Sequence, residues 1–392
     1  MDRINLDYAS AAPVDERVIA EMAKYWREAI GNPSSVYGAG EDAREVVELA
    51  RSRVAGLIGA EAKHVIFTSG ATEANNLAVV GTALRHKGKG NKVVISAVEH
   101  MSVLNPAKSL VKQGFELVTV PVDAAGTVDL DRLQAAVDAN TALVSVMFAN
   151  GEVGTIEPIK EIAAIARAKG APFHADATVA AGKVPINVAE LGVDLLTVSS
   201  NDLYGPQGAG ALYAGPRAKI QPVILGGGQE RGLRSGTENL AGVAGFGKAA
   251  EIAGLEMAGE SRRLTGLRDR LIEGVLGKIG DSHLTGHREL RLPHHASFRF
   301  DWIEGEGIIL FLDMKGITGS TGSACTSKTL QSSHVLLALG LEHEQSHGSL
   351  VFTLGRWSTE AEVEKAIAEL PPIVKRLREI SPLTERGKAA AR

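Results

Sequence analysis

Short, nearly continuous apolar runs alternate along this chain with stretches of helical period, and that alternation narrows the folds open to it. HVIFTSG (64–70), KVVISA (92–97), FELVTV (115–120), ALVSVMFA (142–149), PFHADA (172–177) and DLLTVSS (194–200) have the length and apolar density of strands buried on both faces. Between them lie segments such as IKEIAAIARAKG (159–170), closed by Gly170 as a helix C-cap would be. Buried strands separated by helices predict an α/β protein with a mostly parallel sheet covered on both sides. With 44 glycines and only 4% aromatic residues, the chain suits such a fold, rich in tight strand-to-helix turns.

From about Glu238 the pattern changes. A long helical stretch runs to about Gly280. Strands (HASFRFD, 295–301; SLVFTL, 349–354) then mix with helices (EGIILFLDM, 306–314; 360–380), the last expected to kink or break at Pro371 and Pro372. This reads as a large domain over 15–255 and a small one made of 1–14 and 256–392, with a frayed tail. A net charge of −4 gives no nucleic-acid surface, and no run of about 18 apolar residues predicts a membrane span. A single cysteine, Cys325, allows no intrachain disulfide, and MDRINLDYAS has no apolar signal segment. The expectation is a cytoplasmic protein.

Five motifs have residue types suited to chemistry. SGATEANN (69–76) joins a strand end to a helix start, where free N–H groups and the Thr72 hydroxyl make an anion cup; read alone, it is an ordinary helix start. HADAT puts Asp176 at the carboxyl edge of a strand, where it suits either a ligand's protonated ring nitrogen or a helix N-cap. VEHMSV offers His100 for ring stacking and proton transfer, or simply as a cap. QERGLRSGTEN (229–239) is a second phosphate contact or a plain loop. STGSACTSK (320–328) surrounds Cys325 with small polar residues, which favours an exposed nucleophilic thiol over a buried inert one.

Taken in order, LDYASAAPVD, GNPSSVYGAG, FTSGATEANNLAVVG, VEHMSVL, NGEVGTIEPI, HADAT, LYGPQGAGALY, GGGQERGLRSGTEN, EGEGIILFLD, GSACTS and TLGR resemble the cysteine desulfurases of the NifS/IscS type, among the class V aminotransferases. The resemblance covers nearly the whole chain. It implies the fold-type-I pyridoxal-phosphate architecture, a large domain with a seven-stranded sheet and a smaller α+β domain, and a homodimer. It also implies removal of sulfur from L-cysteine through a persulfide on Cys325, with an iron–sulfur scaffold protein of the IscU type as acceptor. Carried over by motif, Cys325 is the nucleophile, His100 stacks on the cofactor ring and Asp176 pairs with its nitrogen. Ala71, Thr72 and Ser199 hold the phosphate, with Thr237 donated across the dimer interface. Arg356 clamps the substrate carboxylate, with Asn150 and Asn32 nearby.

The resemblance breaks where it matters most. The family pattern S-x-H-K-x-Y-G-P-K-G meets TVSSNDLYGPQG, so its Schiff-base lysine aligns with Asp202 and its phosphate-side histidine with Asn201. A glutamine beside the cofactor's phenolic oxygen aligns with Val179, Tyr37 stands for a histidine, and Gly151 for an asparagine. A carboxylate forms no imine, so Asp202 is expected either as a proton shuttle or as a turn cap. The first reading is a desulfurase with non-covalent pyridoxal phosphate. The second is a catalytically impaired assembly partner that docks the scaffold and offers Cys325 as sulfur acceptor or as ligand of a transient [2Fe–2S] cluster. The third is an enzyme of other specificity that uses pyridoxamine phosphate.

Overall fold

The computed structural model describes residues 3–27, 31–322 and 332–382. In chain order its strands are β1 (Ile4–Asn5), β2 (Val65–Thr68), β3 (Lys92–Ser96), β4 (Glu116–Val120), β5 (Thr141–Ser145), β6 (Phe173–Asp176), β7 (Leu195–Ser199), β8 (Gly210–Ala214), β9 (Ser282–Leu284), β10 (His295–Phe300), β11 (Ile317–Thr318) and β12 (Ser349–Thr353). Seven of them form one sheet in the order β2-β8-β7-β6-β5-β3-β4. β8 is antiparallel to both neighbours, and the remaining pairs are parallel. The six expected central strands are all present. β8 had no sequence expectation, because GALYA is too short and glycine-flanked to stand out.

Helices cover both faces. β5 and β7 are buried along their whole length, as near-continuous apolar runs require. One face of the sheet packs Phe67, Val94, Val144 and Leu196 against helices including Gly38–Leu57 and Ile159–Ala168; the other packs Ile66, Ile95, Leu143 and Leu212 against Met101–Val111. A separate core joins Ile4 and Leu6 to Phe298, Phe300, Phe352 and Leu370, so the N-terminal strand packs with the last third of the chain.

The helix Leu240–Lys278 ties the two cores together. Phe246 and Ile252 on its first half belong to the sheet core, while Leu264 and Leu271 belong to the other. Its glycines permit close approach: a Cβ on Gly247 would lie 2.5 Å from the Ala50 Cα, and one on Gly274 would lie 2.6 Å from Ile367. The helix Glu360–Ile380 runs through Pro371 and Pro372 without the break that the prolines led one to expect. Ile367 and Leu370 before the prolines, and Ile373 and Val374 after them, all sit in that second core, so burial on both sides outweighs the local proline penalty.

Candidate functional site

The parallel strands end on one edge, and a cavity of about 520 Å³ opens there. β6 delivers Asp176, 6% exposed, to its wall. Its carboxylate is fixed on both sides. Oδ2 accepts from Asn75 Nδ2 at 2.6 Å, and Oδ1 accepts from the Thr178 hydroxyl at 2.5 Å and the Thr178 amide at 3.0 Å. Asp176 lines the cavity and closes a turn at Thr178, and no helix starts there as the N-cap reading expected. Asn75, fully buried one turn into the helix Ala71–Asn76, is a site residue that the sequence reading did not single out.

Asn75 Nδ2 also donates to the Ser102 hydroxyl at 2.7 Å, and that hydroxyl lies 2.7 Å from His100 Nδ1. The Ser102 amide donates to the same Nδ1 at 3.1 Å. Nδ1 is therefore an acceptor, and the neutral ring keeps its proton on Nε2. A polar chain thereby links Asp176 to His100, which caps the helix Met101–Val111 and lines the cavity.

Asp202 occupies a 3-10 turn, Asn201–Leu203, directly after β7. Tyr204 closes the turn at φ 61°, a left-handed conformation uncommon for a side chain of its size. Its ring is packed edge-on by Tyr8 and Trp357, at 6.3 and 5.4 Å, and faced by Lys183 Nζ at 4.4 Å. Lys183, 8% exposed, also donates to the Asp202 backbone oxygen at 3.1 Å. The turn is anchored on several sides, and both Asn201 and Asp202 line the cavity. Burial pushes the Asp202 carboxyl up to about 6, opposed by Lys183 and by a hydrogen bond from Ser199, with Asp176 adding to the rise.

Two further carboxyls in the wall had no assigned role in the sequence. Glu99 is 1% exposed and takes hydrogen bonds from the Ser96 hydroxyl at 2.5 Å and the Met147 amide at 2.8 Å. Burial pushes it up to about 8, against those two bonds, with Asp176 and Glu157 contributing. Glu152 accepts from the Ser333 hydroxyl at 2.5 Å, and burial pushes it up to about 7. His334 Nε2 lies 2.9 Å from the Glu99 carbonyl. These two contacts hold Ser333 and His334 in the cavity wall. Local sequence gives no signal for such pairings, whose partners stand 181 and 235 positions apart.

Of the expected site residues, Ala71, His100, Asn150, Asp176, Asn201 and Asp202 meet at this cavity. Asn150 does so with its amide already committed: Nδ2 donates to the Val98 carbonyl and Oδ1 accepts from the Glu152 and Val153 amides, so it shapes the loop rather than facing a ligand. Arg356 departs from expectation. It pairs with Asp15 and, at 3.0 Å, with Glu256, two carboxylates that do not line the cavity; its Nε is buried without a hydrogen-bond partner, and Arg356 is not in the cavity wall. Asn32 is exposed and caps its own turn through the Ser34 amide, also away from the wall. Thr72 and Thr237 are exposed on this chain. The loop carrying Thr237 is tied to the helix start of Thr72 by the Arg234–Glu73 pair at 2.8 Å. Cys325 lies outside the described residues. Among the described residues, no cluster of histidine and acidic side chains is arranged to hold a metal, and no helix is long and apolar enough to cross a membrane.

Residues 4–366 match the family model described as aminotransferase class V. The chain belongs to the class V aminotransferase family. It is 54% identical to cysteine desulfurase IscS 1 of Archaeoglobus fulgidus over 97% of this chain and 99% of that one. It is 46% identical to cysteine desulfurase IscS of Dictyoglomus turgidum, over 98% of each. Among solved structures, a NifS-like protein superposes with a TM-score of 0.89 at 35% identity, covering 96% of this chain and all of that one. These matches carry the fold-type-I architecture that the seven-stranded sheet displays.

The family implies pyridoxal phosphate, and the cavity fits part of it. A carboxylate held at a strand end and a histidine on the same wall suit a protonated pyridine ring. The linkage end differs: among the described residues no lysine lines the cavity, and Lys183 donates to the Asp202 backbone oxygen. Gly151 and Val179 make an apolar patch, in which a Cβ on Gly151 would lie 3.5 Å from Val179 Cγ1. The described residues of the wall fit the ring and offer no amine for attachment.

Proposed function

We propose that this protein mobilises sulfur from L-cysteine for iron–sulfur cluster assembly, as a homodimer, with pyridoxal phosphate held non-covalently and Cys325 carrying the sulfur to a scaffold protein. The observation that carries this reading is the Asn75-braced Asp176 sharing one cavity wall with His100. Asp176 would hold the ring nitrogen protonated, His100 would cover the ring, and the Ala71 helix start, with Thr72 and with Thr237 of the partner subunit, would receive the phosphate. Bound there, the group supplies an electron sink for carbanion chemistry at the substrate's α-carbon. His100, protonated on Nε2, and Asp202, with its carboxyl pushed up to about 6, are the groups placed to move protons. Cysteine desulfurases among its relatives, 54% and 46% identical, support the substrate.

A second reading rests on Asp202 itself. An acid that engages Ser199 beside the expected phosphate site disfavours an anionic cofactor, which leaves a protein that docks a scaffold and receives sulfur on Cys325 from elsewhere. One assay separates the two: alanine released anaerobically from L-cysteine with added pyridoxal phosphate and a thiol reductant. Alanine from the unmodified protein, lost in Cys325→Ala, supports the first reading. Alanine only from Asp202→Lys supports the second.

A further inference from the structure

Asn75 lies wholly inside the fold, and the two ends of its amide are treated unequally. Its Nδ2 spends both hydrogens, one on Asp176 Oδ2 at 2.6 Å and one on the Ser102 hydroxyl oxygen at 2.7 Å. Its Oδ1 has no hydrogen-bond partner among the described residues. A buried acceptor left unpaired destabilises a fold, and an apolar side chain of this size would avoid that cost. Packing alone therefore gives no reason for an amide here. Nor can the amide turn over. Its oxygen would then face the Asp176 carboxylate, setting two acceptors at hydrogen-bond distance.

The direction set at Asp176 runs onward. Because Nδ2 only donates, the Ser102 oxygen accepts from it, and the Ser102 O–H is left to donate to His100 Nδ1 at 2.7 Å. The Ser102 amide, at 3.1 Å, brings a second donor to the same atom. Nδ1 is thus filled, and Nε2, with its proton, is the nitrogen left to meet a ligand in the cavity that His100 lines. We propose that Asn75 is a positioning residue for His100: held in one orientation by Asp176, it dictates through Ser102 that His100 presents an N–H, not a bare nitrogen, to the cavity. The proposal rests on the reading that His100 moves protons there, and it makes this histidine a proton donor in the resting protein.

The test is the pair of ring-nitrogen NMR signals of His100 in the full-length protein, with isotope-labelled histidine and no cofactor added, at alkaline pH where imidazole is neutral. His100→Gln identifies the pair among the 11 histidines. The unmodified protein should show the Nε2–H form, and a proton found on Nδ1 overturns the proposal without any variant. Asn75→Asp is nearly isosteric and puts an acceptor where Nδ2 now donates. The Ser102 O–H then turns toward it, and the Ser102 oxygen is free to accept from Nδ1–H. The ratio of the Nε2–H to the Nδ1–H form should fall by about tenfold, which moves the two signals toward each other. In a Ser102→Ala background the route is cut, so adding Asn75→Asp should leave both signals where Ser102→Ala alone puts them. Signals unmoved by Asn75→Asp, or moved equally with and without the Ser102 hydroxyl, overturn the proposal. A relay seen in the cofactor-free protein, with no alanine formed from L-cysteine, would leave this inference standing and defeat the sulfur-transfer reading.

Discussion

Replacing Glu99 by glutamine should change how stability depends on pH. Glu99 is buried, accepts two hydrogen bonds through Oε1, and is pushed up to about 8 from an ordinary value of 4.5. Between those two values the folded protein keeps a proton that the unfolded chain has lost. Stability attributable to Glu99 is therefore fully present below the unfolded value, falls by roughly 1.36 kcal/mol per pH unit as pH rises, and levels off above about pH 8. From about pH 5 to about pH 7.5 that amounts to about 3 kcal/mol. The glutamine side chain has no proton to lose, and its amide oxygen can still accept from the Met147 N–H. Urea unfolding midpoints, measured for both proteins across this range, should diverge in favour of Glu99→Gln as pH rises. Glu152, pushed up to about 7, adds a slope of the same sign to both proteins and cancels in the difference. Parallel curves for the two proteins would refute the reasoning, because they would mean that Glu99 ionises in the folded state as readily as in the unfolded chain.

Three other outcomes follow from the packing. Glu230→Ala removes the bidentate partner of the buried Arg51 guanidinium, now at 2.7 and 2.9 Å, leaving it Glu48 and the Val65 carbonyl, and strips the Phe67 amide of its side-chain acceptor; it should cost about 3 kcal/mol in denaturant midpoints, and Arg51→Met combined with Glu230→Leu should recover most of it. Gly247→Ala places a Cβ 2.5 Å from the Ala50 Cα and should cost about 1–3 kcal/mol by thermal unfolding as two helices are forced apart. Ser333→Ala removes both a helix N-cap and the hydrogen bond to Glu152; it should cost about 1 kcal/mol and speed hydrogen exchange at Val335 and Leu336, whose amides the hydroxyl now accepts from.

What the sequence made legible was whatever repeats over a few residues. KVVISA and DLLTVSS read as buried strands because their apolar character is continuous, and the carboxyl edge of such strands is where Asp176, Asn201 and Asp202 meet. β8 stayed hidden because pairing with β2 and β7 stabilises it more than its own residues do. Pro371 and Pro372 misled for the converse reason: a strong local signal lost to burial of Ile367, Leu370, Ile373 and Val374. Arg356 shows the limit for charged groups, whose partner is chosen in three dimensions. Asp15 and Glu256 stand 341 and 100 positions away, and nothing near TLGR indicates them. Asn75, Glu99 and Glu152 likewise acquire their roles only when β3, β5 and β6 end side by side.

The central claim is that Cys325 receives the sulfur of L-cysteine with the help of a cofactor bound without a lysine. The most direct measurement is the intact mass of the Cys325 peptide after anaerobic incubation of the unmodified protein with L-cysteine, with and without pyridoxal phosphate, and alkylation to trap the product. The account predicts a mass gain of one sulfur atom on that peptide that depends on both the cofactor and the substrate. A Cys325 peptide of unchanged mass in the presence of both would contradict it.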